Sequence, residues 1–114
     1  MARTDRSWSP GDADLDWIEE IAGAPHPVLL EMEAAAGPEG IPILNRDSGR
    51  MLAVLAVGRR RAVEVGTAIG YSTLWTAFGQ GPGGSLVTVP SPRPDFVTVN
   101  VTKTGNKSNC ADTV

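Results

Sequence analysis

Cysteine and histidine are almost missing from this sequence. Cys110 and His26 are the sole residues of their types. An internal disulfide is therefore excluded, and a zinc site lacks the ligands it would be built from. A lone thiol suits a reducing compartment, and the expected address is the cytoplasm. Long apolar runs are missing too. No stretch approaches ~20 uninterrupted apolar residues, so no membrane-spanning helix is expected. The N-terminus runs from Met1–Arg6 into acidic residues rather than an apolar core, unlike a signal peptide. Positive charge is scarce: the net charge is −3, and the one local basic run is Arg59–Arg61. Neither nucleic acid nor an anionic membrane is expected as a partner. What remains is a chain of 114 residues, enough for one small domain.

Residues 1–13 are polar and rich in Pro, Gly, Asp and Ser, and read as a disordered arm. Asp14 can cap a helix over Leu15–Ala22, with Leu15, Ile18 and Ile21 on one face, and Gly23 stops it. A second helix is expected over Pro27–Ala36, ended by Gly37-Pro38. Gly40–Asn45 follows as an extended segment that Pro42 keeps out of a helix. Asp47 or Ser48 can cap a third helix, Ser48–Val57, packed by Met51, Leu52, Val54 and Leu55. His26, between two prolines, reads as a loop residue.

Ala62–Val65 is short, β-prone and apolar, and reads as a buried parallel strand. The turn Gly66–Gly70 leads to a helix over Tyr71–Phe78, whose Trp75 and Phe78 read as core. A glycine-rich loop, Gly79–Gly84, precedes a second strand, Ser85–Val89. Together these form one βαβ unit, expected to be right-handed. After Val89 the composition changes. Residues 91–114 hold three of the four asparagines and both lysines. Phe96, Val97, Val99 and Val101 alternate and can supply one edge strand, but no further helix–strand alternation follows. Residues 90–114 therefore read as an atypical polar tail, frame-shifted or disordered.

The chemistry concentrates in Ala62–Ser72. A carboxylate, Glu64, sits inside a strand. Gly66 stands at the strand's exit and Gly70 where a helix begins. Gly66 allows a sharp turn and close approach of a ligand. The unpaired N–H groups at the helix start favour a carboxylate or phosphate. Ser72 adds a hydroxyl there, and would otherwise serve as a helix cap. Glu64 needs a partner, either an ammonium group on a ligand or the arginines of 59–61. Ala68 replaces the second glycine of the dinucleotide fingerprint, and no Walker loop occurs. A compact amino-acid-like head fits better than a pyrophosphate.

Glu64–Ser72 (Glu-Val-Gly-Thr-Ala-Ile-Gly-Tyr-Ser) resembles motif I of the catechol and caffeoyl-CoA type O-methyltransferases, a class I S-adenosylmethionine-dependent family. Ile43–Arg50 resembles the family's segment upstream of that motif, and Gly83–Val89 its second strand. The resemblance covers residues 14–89. It implies an α/β, Rossmann-like methyltransferase fold, present in truncated form: N-terminal helices, then one βαβ unit with parallel strands. It also implies S-adenosylmethionine as cofactor and a small, aromatic hydroxyl compound as methyl acceptor. Glu64, Gly66 and Ser72 would hold the cofactor's methionine end. Thr67, Ala68 and Gly70 would shape the turn, and Leu44 would make a backbone contact.

Two departures follow. Where the family has an acidic residue accepting the ribose hydroxyls, this chain has Pro90, and Asp95 comes several residues late. The family's ligands for a divalent metal (Mg²⁺) and its general base lie in later βα units, absent from this chain. No catalytic residue is assigned. The alternative reading is a catalytically inactive cofactor-binding or interaction module. With strand edges unpaired, the chain is expected to self-associate.

Overall fold

The computed structural model describes residues 10–90 and 97–101. In chain order these form α1 (Asp12–Ala22), α2 (Pro27–Glu39), α3 (Arg46–Ala56), β1 (Arg61–Val65), α4 (Tyr71–Gln80), β2 (Ser85–Val89) and β3 (Val97–Asn100). The expected βαβ unit is present: β1 and β2 pair in parallel, with Glu64 beside Thr88 and Val65 beside Val89. β3 joins the other side of β2 in antiparallel sense, giving the order β1-β2-β3. The alternating run after residue 96 thus supplies an edge strand, as its pattern predicts. Residues 1–9 of the expected arm and 91–96 and 102–114 of the expected tail lie outside the described residues. No described helix is long and apolar enough to cross a membrane.

Helix boundaries differ from expectation where a cap decides them. α1 starts at Asp12, because Asp14 acts from the third helical position: its carboxylate accepts from the Gly11 backbone N–H at 2.9 Å. α2 starts where His26 caps it, Nδ1 accepting from the Val28 N–H at 3.3 Å. It then runs through Gly37-Pro38 to Glu39. Gly40 adopts the left-handed conformation, and its N–H and that of Ile41 return to the carbonyls of Gly37 and Ala36 (3.1 and 3.0 Å). This paired closure is a Schellman motif, and it sets the end of the helix at Glu39, three residues later than the expected Ala36. α3 is capped by Asn45, whose Oδ1 accepts from the Ser48 N–H at 2.8 Å. α4 extends two residues beyond Phe78, to Gln80.

Among the described residues, helices cover one face of the sheet. Ala62 and Glu64 of β1, and Leu86 and Thr88 of β2, point toward α3 and α4. On the opposite face Val63 and Val65 are 75% and 83% exposed. The expectation of a fully buried β1 is therefore corrected: alternation along the strand splits its valines from its core-facing residues, and nothing described covers the valine side. α3 is corrected likewise. Met51, Val54 and Leu55 are exposed, and its packed side carries Gly49, Ala53 and Ala56 instead.

That choice of small residues has a steric cause. A Cβ on Gly49 would overlap the Trp75 ring, and one on Gly79 would overlap the Ala53 backbone. The two helices approach too closely for side chains at these points. Leu29, Tyr71 and Trp75 form the adjoining buried cluster, with Met32, Ile43, Leu44 and Ile69 packed against it. Trp75 is core as expected, whereas Phe78 is 42% exposed and stacks at 5.1 Å on His26.

A charged network ties the N-terminal helices to this cluster. The Arg46 guanidinium donates to both Glu33 oxygens (2.7–3.1 Å) and to Glu19 at 2.9 Å. Arg50 donates to Glu19, Asp47 and the Gly23 carbonyl. Tyr71 Oη donates to Glu33 at 2.6 Å. Arg46 holds the Glu33 carboxyl below the usual carboxylate range, and Arg50 does the same to Glu19. Burial, then the bond to Glu33, raises the Tyr71 phenol.

Two outcomes are expected. Gly79→Ala should destabilise the fold by ~1–3 kcal/mol, read as a lower unfolding midpoint. Gly37→Ala is the control: its Cβ would meet open space, so this change should be neutral or slightly stabilising. Equal effects of the two would contradict the close helix contact. Because the Glu33 and Glu19 carboxyls titrate lower when folded, their contribution is present above their unfolded values and lost as pH falls through the folded ones. The thermal midpoint should therefore drop between about pH 5 and pH 3. Glu33→Gln should make that drop shallower. An unchanged slope would remove Glu33 from the linkage.

Candidate functional site

The carboxyl end of β1 opens into a turn that no ordinary residue run would adopt. Gly66, Ala68 and Gly70 all have positive φ, of 93°, 45° and 88°. At Gly66 an added Cβ would meet nothing within 4 Å. Glycine is needed there for its backbone angle rather than to clear a neighbour. The Gly66 N–H donates to the Val89 carbonyl at 2.8 Å, which extends the parallel ladder one step and fixes where the turn begins. Gly70 caps α4 with no side-chain bond. The first-turn N–H groups of α4 consequently face the turn with the positive end of the helix dipole behind them.

Of the residues expected to form the site, Leu44, Gly66, Thr67, Ala68 and Ser72 line one pocket of about 190 Å³, together with Pro42, Ile43 and Tyr71. Gly70 stands at the adjoining helix cap. The extended segment Ile41–Asn45 forms the opposite wall, and the Glu33–Arg46–Tyr71 network anchors it. A second opening of about 370 Å³ adjoins it along Glu33, Ile43, Leu44, Asn45, Arg46 and Tyr71. The first volume lies below the roughly 300–1,000 Å³ of a pocket that encloses a whole ligand. It suits one end of a larger molecule.

Glu64 is placed differently from its expected companions. Its carboxylate turns toward α4 and lines a 260 Å³ cleft beside Leu52, Ala62, Thr76 and Leu86. Three hydroxyls hold it. Ser72 donates to Oε1, and Thr73 and Thr88 donate to Oε2 at 2.5 and 2.7 Å. Thr88 in turn shares a 2.6 Å bond with Thr67. Hydroxyls rather than Arg59–Arg61 are the partners found among the described residues. Ser72 bridges the two spaces, with its hydroxyl on Glu64 and its residue on the wall of the smaller pocket. It is not the helix cap. The sequence reading missed Thr73 and Thr88. Their signal was available in part, since a Thr two residues beyond a buried Leu on a parallel strand falls beside Glu64 once the register is known.

Pro90 follows β2 directly. It is half-buried and has no side-chain acceptor. Among the described residues, no cluster of His, Cys, Asp or Glu could hold a metal ion.

The three hydroxyls make a stability prediction. Glu64→Ala should cost ~1–3 kcal/mol, because Thr73 and Thr88 are buried donors left without their acceptor. Glu64→Gln, which keeps one acceptor oxygen, should cost less. Equal unfolding midpoints for wild type and Glu64→Ala would show that the hydroxyl bonds carry no net weight.

No family model matches the chain. A curated relative does: catechol O-methyltransferase of Mycobacterium tuberculosis is 33% identical over 89 residues, covering 75% of this chain and 40% of that protein. Among solved structures, a cofactor-bound protein from MTB superposes with a TM-score of 0.60 at 32% identity, over 71% of this chain and 39% of its own. The O-methyltransferase from Bacillus cereus in complex with SAH gives 0.58 at 25% identity, over 68% and 37%. The chain thus spans about two fifths of the length of the relatives it matches. The parallel β1–α4–β2 unit and the preceding helices agree with these likenesses, and the chain is similar to the N-terminal portion of S-adenosylmethionine-dependent O-methyltransferases with their Rossmann-like fold.

Proposed function

We propose that this chain is the S-adenosylmethionine-binding portion of an enzyme that methylates a hydroxyl of a small aromatic molecule. One observation carries the reading. Leu44, Gly66, Thr67, Ala68 and Ser72, brought from two separate segments, line a single pocket at the uncapped start of α4. The methionine end of the cofactor fits these groups. Its carboxylate suits the free N–H groups of α4, and its ammonium suits the oxygen of Ser72 and the Glu64 charge one hydroxyl behind it. Thr67, Ala68 and Gly70 shape the turn, and the Leu44 backbone closes the far side. The ribose end fits less well, because Pro90 offers its diol no acceptor. When bound, S-adenosylmethionine supplies an electrophilic methyl group on sulfur. A Mg²⁺ ion is part of the proposal for the whole protein, with no ligand assigned in this chain.

A second reading is favoured by Pro90 and by the open valine face of β1. The chain would then be an inactive cofactor-binding or interaction module, and a second copy would pair along the edge of β1 that no described strand occupies. On either reading the compartment we propose is the cytoplasm.

Titration calorimetry with S-adenosylmethionine and S-adenosylhomocysteine tests the shared element. Binding of both is expected, and Glu64→Ala should weaken it by ~1–3 kcal/mol. No heat with either ligand at millimolar concentration would sink the cofactor assignment. Unchanged affinity in Glu64→Ala would remove Glu64 from the site.

A further inference from the structure

Thr88 is 1% exposed and lies on β2, outside the glycine turn and outside the pocket. Buried hydroxyls are costly unless every bond is made. This one makes two to functional neighbours. The parallel register sets Thr88 beside Glu64. Its Oγ lies 2.7 Å from Glu64 Oε2 and 2.6 Å from Thr67 Oγ1. A threonine hydroxyl has one proton to give. Since the carboxylate can only accept, Thr88 donates to Glu64 and accepts from Thr67. The proton directions are thereby settled: Thr67 to Thr88 to Glu64.

The accounting on Glu64 is equally informative. Oε2 accepts from both Thr73 and Thr88, while Oε1 accepts from Ser72 alone. The doubly held oxygen is anchored. The singly held one keeps acceptor capacity on the side of Ser72, the residue that lines the pocket.

We propose that Thr88 is a positioning residue: from β2 it locks the rotamer of Glu64, so that Oε1 is directed through the Ser72 side toward a cationic amine in the turn pocket. The inference rests on the reading of that pocket as the site for the cofactor's amino-acid end. Thr88 touches neither pocket nor ligand. It acts through Glu64, and it ties the pocket-wall residue Thr67 to the same carboxylate.

The test compares two ligands, S-adenosylhomocysteine and its analogue lacking the α-amino group, on wild type, Thr88→Val and Thr88→Ser. Valine keeps the shape of threonine and removes both bonds. Serine keeps the hydroxyl. Thr88→Val should weaken S-adenosylhomocysteine about tenfold, leave the deaminated analogue unchanged, and lose its effect in a Glu64→Ala background. Thr88→Ser should restore wild-type affinity. Equal weakening of both ligands would mean a structural role only and overturn the proposal, as would unchanged affinity in Thr88→Val. Should Thr88→Val fail to fold, Thr88→Ala removes the same two bonds without the branched side chain and should show the same selective loss. If wild type binds neither ligand, the reading of the pocket itself fails, and this inference with it.

Discussion

Helices α3 and α4 touch so closely that neither Gly49 nor Gly79 has room for a side chain. Much else follows from that contact. It seats α4 over the sheet, so its first turn overhangs the carboxyl end of β1. It buries Trp75 and Tyr71 against Leu29, which draws α2 into the same core. It also brings Ser72 and Thr73 within reach of Glu64. A wider helix crossing would leave the carboxylate without two of its three hydroxyls, and a strand-interior charge without partners is not a stable arrangement.

The charged network does a different job. Arg46 and Arg50 join α1, α2 and α3, and Tyr71 extends the connection to α4. All four side chains of its main ion pairs are partly exposed. Its value therefore lies less in raw stability than in orientation. It holds the segment Ile41–Asn45 across from the glycine turn, where Leu44 and Ile43 make the second wall of the pocket. Hydrophobic packing places the turn, and ion pairing places the wall opposite.

Local chemistry made the central unit readable in the sequence. β2 is found at Ser85–Val89 as expected, and α4 begins at Tyr71, because a glycine turn between two β-prone runs leaves few alternatives. Gly66, Thr67, Ala68 and Ser72 share one pocket for the same reason, and Leu44 joins them from the upstream segment. What the sequence did not disclose depends on distant partners. Gly79 looks like the start of a loop and is a helix contact. Met51, Val54 and Leu55 look like core, yet glycine and alanine form the packed side of α3. Thr73 and Thr88 look like ordinary polar positions until the parallel register puts them around Glu64. The valine face of β1 reads as buried because such strands usually are; here the described chain covers only one side.

The family likeness and the pocket geometry support one proposal: that the turn Gly66–Ser72 and the segment at Leu44 receive the amino-acid end of a methyl donor. Amide chemical-shift mapping during titration with S-adenosylhomocysteine addresses it residue by residue. The account predicts saturable shifts concentrated at Gly66–Ser72 and at Leu44, with the N–H groups of Ser72 and Thr73 among the largest. Shifts confined to the open valine face of β1, or no saturable shifts at the turn, would contradict it.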